Sequence, residues 1–231
     1  METFTQEREH SPELAQKQAL WSETMQDLDG TSDGLGLPID EGIKETVTAF
    51  RVNQFPTDGS CEGHVEERFG KRIKLHPYVA VGFEEPSQRF IGDTELRDRI
   101  AKKFVISPDE IEGNDKAVRE YWDYIQNHDV TETPEFLAVR AKNEELCRSA
   151  ADILKAFYEQ RRTPESLRLS IQGVGPAGHF RVEYEKESPQ EVSEVDLEKF
   201  RLELAQQQEE MRAFSQYLKD RFFNPQSNQE N

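Results

Sequence analysis

Between Gly59 and His64 the chain places a hydroxyl (Ser60), a thiol (Cys61), a carboxylate (Glu62) and an imidazole (His64) around a second glycine, Gly63. Glycine at the third position of Cys61-Glu62-Gly63-His64 is what a type II turn requires, and such a turn brings its outer residues within about 7 Å. A thiol beside an imidazole can act as a thiolate nucleophile or supply two metal ligands. In an enzymatic reading His64 carries the proton, Glu62 orients it, Cys61 is the nucleophile, and Ser60 and Gly63 line the ligand side. If the segment instead continues as a strand, Ser60, Glu62 and His64 share one face while Cys61 and Gly63 share the other. Glu62 and His64 are then the polar pair and Cys61 is buried and inert. A corner whose polar groups merely satisfy main-chain atoms is also compatible with these residues.

Two local ligands fall short of the three or four that zinc takes, so no metal site is assigned, with His76 and His179 as candidate completions. Arg68, Lys71, Arg72 and Lys74 follow the turn. They read as a loop around Gly70, in which Arg72 and Lys74 could hold a small anionic ligand beside the turn or simply balance Glu66 and Glu67 in solvent. The run from Gly173 to Gly178 lacks the following helix of a phosphate-binding fingerprint, so it reads as a hairpin connection. No cofactor is identified from the residues.

The turn must be positioned by its neighbours. Asp40 can cap a helix whose Ile43, Val47 and Phe50 line one face and which ends by Pro56. Tyr78 to Phe83 reads as a buried strand, being short, apolar and bounded by Pro77 and Pro86. Helices are expected from about Thr94 to Lys103, from Asn114 to Asn127, and from Pro134 to about Thr163. The last carries a stripe of Phe136, Val139, Leu146, Ala150, Ile153 and Phe157, with Cys147 beside it as a small core hydrophobe. Leu167 to Gln172 and Phe180 to Glu185 alternate and read as an antiparallel pair. Upstream, Ser11-Pro12-Glu13 starts a short amphipathic helix to about Leu28, which a flexible Asp29 to Gly36 linker follows. From Val195 to Phe222 one long helix carries Leu197, Phe200, Leu204, Met211, Phe214 and Leu218, a seam interrupted by Gln207 and Arg221.

Composition bounds the rest. The chain has 231 residues, 35% hydrophobic against 32% charged, and a net charge of −17. Apolar material this sparse must be concentrated in a core shorter than the chain. Residues 1–39 are therefore expected to be an acidic flexible arm with a short amphipathic helix, 40–185 an α+β core, and 186–231 a long helix with a polar tail. The charge argues against nucleic acid as a partner. Two cysteines make no disulfide framework, and the absence of an apolar run of spanning length argues against a membrane. A soluble cytoplasmic protein is expected.

The segments Gly42 to Val47, Phe55 to Gly59, Ser60 to His64 and Tyr78 to Val81 resemble a group of uncharacterised bacterial and phage proteins with a Ser-Cys-x-Gly-His turn between a helix and a strand. More distantly, the turn is similar to the Ser-Ser-Cys-Ser-Gly-Arg turn of the wybutosine-synthesis methyltransferases, which modify tRNA with S-adenosylmethionine. The resemblance covers about residues 40–85 and implies a small α+β core with the turn at a functional edge. Gly59 and His64 replace a Ser and an Arg of that pattern, and the activity is not carried over. The expected fold is α+β, with a small, partly antiparallel sheet of about three to four strands covered by helices and a long C-terminal helix. The expected function is a small-molecule or anionic-ligand site at the turn. The alternative is an interaction module or homodimer formed through the terminal helices.

Overall fold

Ile43, Val47 and Phe50 recur at helical spacing and are buried, which seats the helix Glu41–Val52 (α2) on the sheet and fixes where the chain enters its first strand. The computed structural model describes residues 12–32, 38–68, 71–184 and 196–224. Before α2 lies the helix Pro12–Asp29 (α1). Its proposed Ser11 cap, the second half of the Asp29 to Gly36 linker and the arm before it lie outside the described residues.

Strands Thr57–Cys61 (β1) and Tyr78–Val81 (β4) pair antiparallel, with Cys61 opposite Tyr78. β4 also pairs with His179–Tyr184 (β6), which pairs in turn with Leu169–Val174 (β5). The resulting four-stranded sheet has the order β1-β4-β6-β5. Its inward positions, Val79, Val81, Phe180, Val182 and Tyr184, alternate with more exposed ones as a one-sided sheet demands. β4 stops at Val81, two residues short of the apolar run: Gly82 N bonds Pro56 O, and Phe83 N turns to the Asn143 side chain instead of a strand. β5 begins at Leu169, because Glu165–Leu167 forms a short 3-10 turn.

The stretch between the turn and β4 is not a loop. Val65–Arg68 (β2) and Lys71–Lys74 (β3) form a separate antiparallel hairpin, rooted where His64 and Leu75 exchange both main-chain bonds. In the sequence charged residues stand at consecutive positions from Glu66 to Arg68 and at Lys71, Arg72 and Lys74, so no apolar alternation marks these strands.

Helices Asp93–Phe104 (α3) and Asp115–Asn127 (α4) enclose a second, smaller core of Phe90, Leu96, Ile100, Ile111, Ala117 and Tyr121. The main core lies between the sheet, α2, the helix Pro134–Glu159 (α5) and the helix Leu197–Phe223 (α6). Cys147 of α5 packs against it, and burial pushes its thiol up from the ordinary value. α6 contributes Met211, Phe214 and Leu218 to the main core, all at least 98% buried, while its buried Phe200 packs against His76 and Lys74. Gln207, the polar break in that seam, is fully buried: its Oε1 meets His76 Nδ1 at 2.8 Å and its carbonyl accepts the Tyr184 hydroxyl at 2.6 Å. Trp21 of α1 packs on Phe223, and Leu28 joins the main core. α6 thus directs most of its apolar seam into the chain, whereas α1 buries only Leu28 fully and leaves Leu20 exposed. Among the described residues no helix is long and apolar enough to cross a membrane.

Candidate functional site

The corner after β1 is a turn, with Gly63 at φ 82°, the left-handed conformation glycine adopts without a Cβ penalty. It brings Cys61 Sγ to 3.7 Å from His64 Nδ1. Gly63 N donates to the same sulfur at 3.3 Å. Cys61 is buried and His64 partly exposed, so one end of the pair is fixed and the other meets solvent.

A third group joins them from α2. Ligand atoms of Asp40, Cys61 and His64 all lie within 4.8 Å of one another. Asp40 sits at the N-cap of α2 but makes no capping bond there. Its Oδ2 accepts from Glu62 N at 3.1 Å, while the Glu62 carboxylate accepts from Gly42 N at 2.9 Å. The two acids have therefore exchanged roles. Glu62 caps the helix from across the corner, at an N-terminus whose dipole favours a carboxylate, and does not orient His64. Asp40, freed from capping, turns toward the thiol and the imidazole. The clasp needs Gly42, because a Cβ there would overlap the Glu62 carboxylate.

From the other side, α6 holds the turn through Gln208 Nε2, which donates to the carbonyls of both Glu62 and Gly63 at 3.2 Å. Pro77 and Leu204 close against Gly63. The cluster is thus fixed by a helix start, a strand end and a second helix.

The remaining residues singled out from the sequence lie elsewhere. Ser60 pairs with Val79 inside β1, where the pleat puts it on the face opposite Cys61. Arg72 and Lys74 share the hairpin face of Val65, the face opposite His64, because His64 pairs with Leu75 and the pleat alternates. Lys74 is buried over the Phe200 ring and reaches Glu203 at 3.4 Å. His76 is engaged with Gln207, and His179 lies between Asp58 and the Phe83 carbonyl, so neither completes the cluster. Asp40 is the residue that the spacing did not reveal. Its one sequence signal is an acid at a helix start, a pattern that capping explains equally well.

Geometry separates the two chemistries open to this trio. In a nucleophilic relay the imidazole stands between thiol and carboxylate, which then lie about 7 Å or more apart. Here all three groups converge within 4.8 Å. For tetrahedral zinc, with its Zn–S bond of about 2.3 Å and Zn–N bond of about 2.0 Å, the sulfur-to-nitrogen edge is about 3.6 Å. The observed 3.7 Å edge fits it. A thiolate and a carboxylate beside a neutral imidazole also carry two negative charges, the complement of a divalent cation. No family model matches the chain, and no curated protein or solved structure matches it either.

Proposed function

We propose that the protein binds a divalent transition metal of the zinc type at Asp40, Cys61 and His64, with an exchangeable fourth position for water or a small anionic ligand. The observation that carries this reading is the convergence of sulfur, nitrogen and oxygen ligands from two elements upon one point. The mixed donor set suits zinc and its neighbours and does not suit magnesium or calcium, which take oxygen ligands. Among the described residues no fourth histidine, cysteine or acid joins the group, the pattern of sites that keep a position open. A metal with an open position lowers the pKa of its bound water and polarises carbonyl or phosphoryl oxygens, so hydrolysis or hydration is the reaction class such a centre would serve. The likeness to Ser-Cys-x-Gly-His turns fits a site at this corner and brings no activity with it. Of the seams that a partner-binding role for the terminal helices would use, Phe200, Met211, Phe214 and Leu218 are spent on packing within the chain, whereas Trp21, Met25, Leu197 and Leu204 are only partly buried.

Equilibrium dialysis against zinc, read by elemental analysis, tests the proposal. One zinc per chain is expected, with affinity falling roughly 100-fold or more, about 2.7 kcal/mol, in Cys61→Ser and in His64→Gln. Sub-stoichiometric zinc in the wild type, or equal zinc in wild type and both variants, would refute it.

A further inference from the structure

We propose that a groove at the far end of β1 binds a small planar aromatic molecule carrying an anionic group, with its ring on Phe83 and its anion between Arg51 and Lys142. The groove runs between the end of α2, the start of β1 and α5, and has a volume of about 770 Å³. Cavities of roughly 300–1,000 Å³ with apolar walls and a few polar groups are the usual form of small-molecule sites. Phe55, Pro56, Phe83 and Leu146 supply the apolar wall here, and Arg51 and Lys142 the charge.

Phe83 is 39% exposed, although side chains hold both its main-chain N–H and its carbonyl. Its N–H donates to Asn143 Oδ1 at 2.8 Å, and its carbonyl meets His179 Nε2 at 2.8 Å. Asn143 is fully buried and also donates to Ala177 O, while His179 Nδ1 faces Asp58 Oδ2 at 2.9 Å. Gly82 lacks the Cβ that would overlap the His179 ring. A single exposed phenylalanine is ordinary. One whose backbone is fixed on both sides by polar side chains, the buried Asn143 and the partly buried His179, at the lip of a cavity, is a preorganised aromatic surface.

The charge of the groove opposes that of the chain. Arg51 Nε donates to Thr57 Oγ1 at 2.8 Å, which sets the plane of the guanidinium and leaves its terminal nitrogens for a ligand. Lys142 Nζ stands 5.7 Å from the centroid of the Phe83 ring. Among the described residues neither cation has an ion-pair partner, and Glu145 is the single carboxylate in the lining. In a protein of net charge −17 such a place attracts an anion locally while the surrounding field discourages larger polyanions. Gln54 on the rim holds φ 67°, local strain of the kind that gathers at binding sites.

Naphthalene-2-sulfonate is the probe, titrated into the full-length protein and followed by amide chemical shifts. Saturable shifts at Gln54, Phe83 and Ser149 are expected, with 2-naphthol at least about tenfold weaker and methanesulfonate not saturating, since ring and charge act together. Lys142→Gln, at a surface position, and Phe83→Ala should each weaken the probe about tenfold without altering the fold. Absence of saturable shifts at the groove would overturn the proposal, as would equal binding of the neutral naphthol or unchanged binding in both variants. The metal corner lies at the opposite end of β1, so these outcomes are independent of the zinc reading.

Discussion

Gly63 shows how narrowly the corner is specified at the scale of one residue. An added Cβ would lie 2.6 Å from Pro77 Cδ and 2.8 Å from Leu204 Cδ1, on a backbone already at φ 82°. Gly63→Ala is therefore expected to cost about 3 kcal/mol in denaturant unfolding, combining left-handed strain with overpacking. Gly42→Ala should cost only about 1 kcal/mol, because the Glu62 carboxylate ends a flexible side chain and can swing away with the loss of one capping bond. Val105 is the opposite case. It is 90% exposed and takes φ 58° at the C-cap of α3, where glycine is the natural occupant. Val105→Gly is expected to stabilise the protein by about 1 kcal/mol. The neighbourhood of Cys61 and His64 was legible in the sequence because a single turn sets it. The place of Asp40 was not, because it depends on two acids exchanging partners across a tertiary contact between the helix start and the turn.

At the scale of elements, α5 ties the sheet together through one buried amide. Asn143 serves Phe83 N and Ala177 O at once, so Asn143→Leu leaves two main-chain groups without partners and should cost about 3 kcal/mol in thermal or denaturant unfolding. The Ser107–Glu110 capping box starts the short 3-10 turn after α3. Its main-chain bond, followed by the Ser107 hydroxyl, holds the Glu110 carboxyl below its ordinary value. Stability from this group is present above the unfolded pKa and is lost as pH falls through the lowered one; a carboxyl-carbon NMR titration of Glu110 should accordingly show a midpoint below 4.5. The β5-β6 hairpin was legible because its apolar residues alternate, and the long helices because their apolar stripes recur at helical spacing, in α6 even across the Gln207 break. The β2-β3 hairpin was not, since its register rests on the His64–Leu75 main-chain pair and its sequence lacks an apolar alternation.

At the scale of the whole molecule, α6 completes the main core, and truncation before Asp196 is expected to abolish cooperative unfolding. The buried phenols report on the same packing. Burial, reinforced by Asp93, pushes Tyr121 up to about 12, and burial raises Tyr158 and Tyr184 further still. A phenol whose pKa is raised on folding stabilises the native state fully below its unfolded value near 10, a contribution lost as pH rises toward 12. Tyrosinate absorbance should therefore appear in two stages, the second coinciding with alkaline unfolding. These elements hold the Asp40, Cys61 and His64 ligand atoms together, and cobalt(II) titration followed by visible absorbance tests most directly the metal binding proposed for them. A sulfur-to-cobalt charge-transfer band with tetrahedral d–d bands, saturating at one equivalent and absent in Cys61→Ser, is the expected result. A cobalt spectrum no different from that of the hydrated ion would contradict the account.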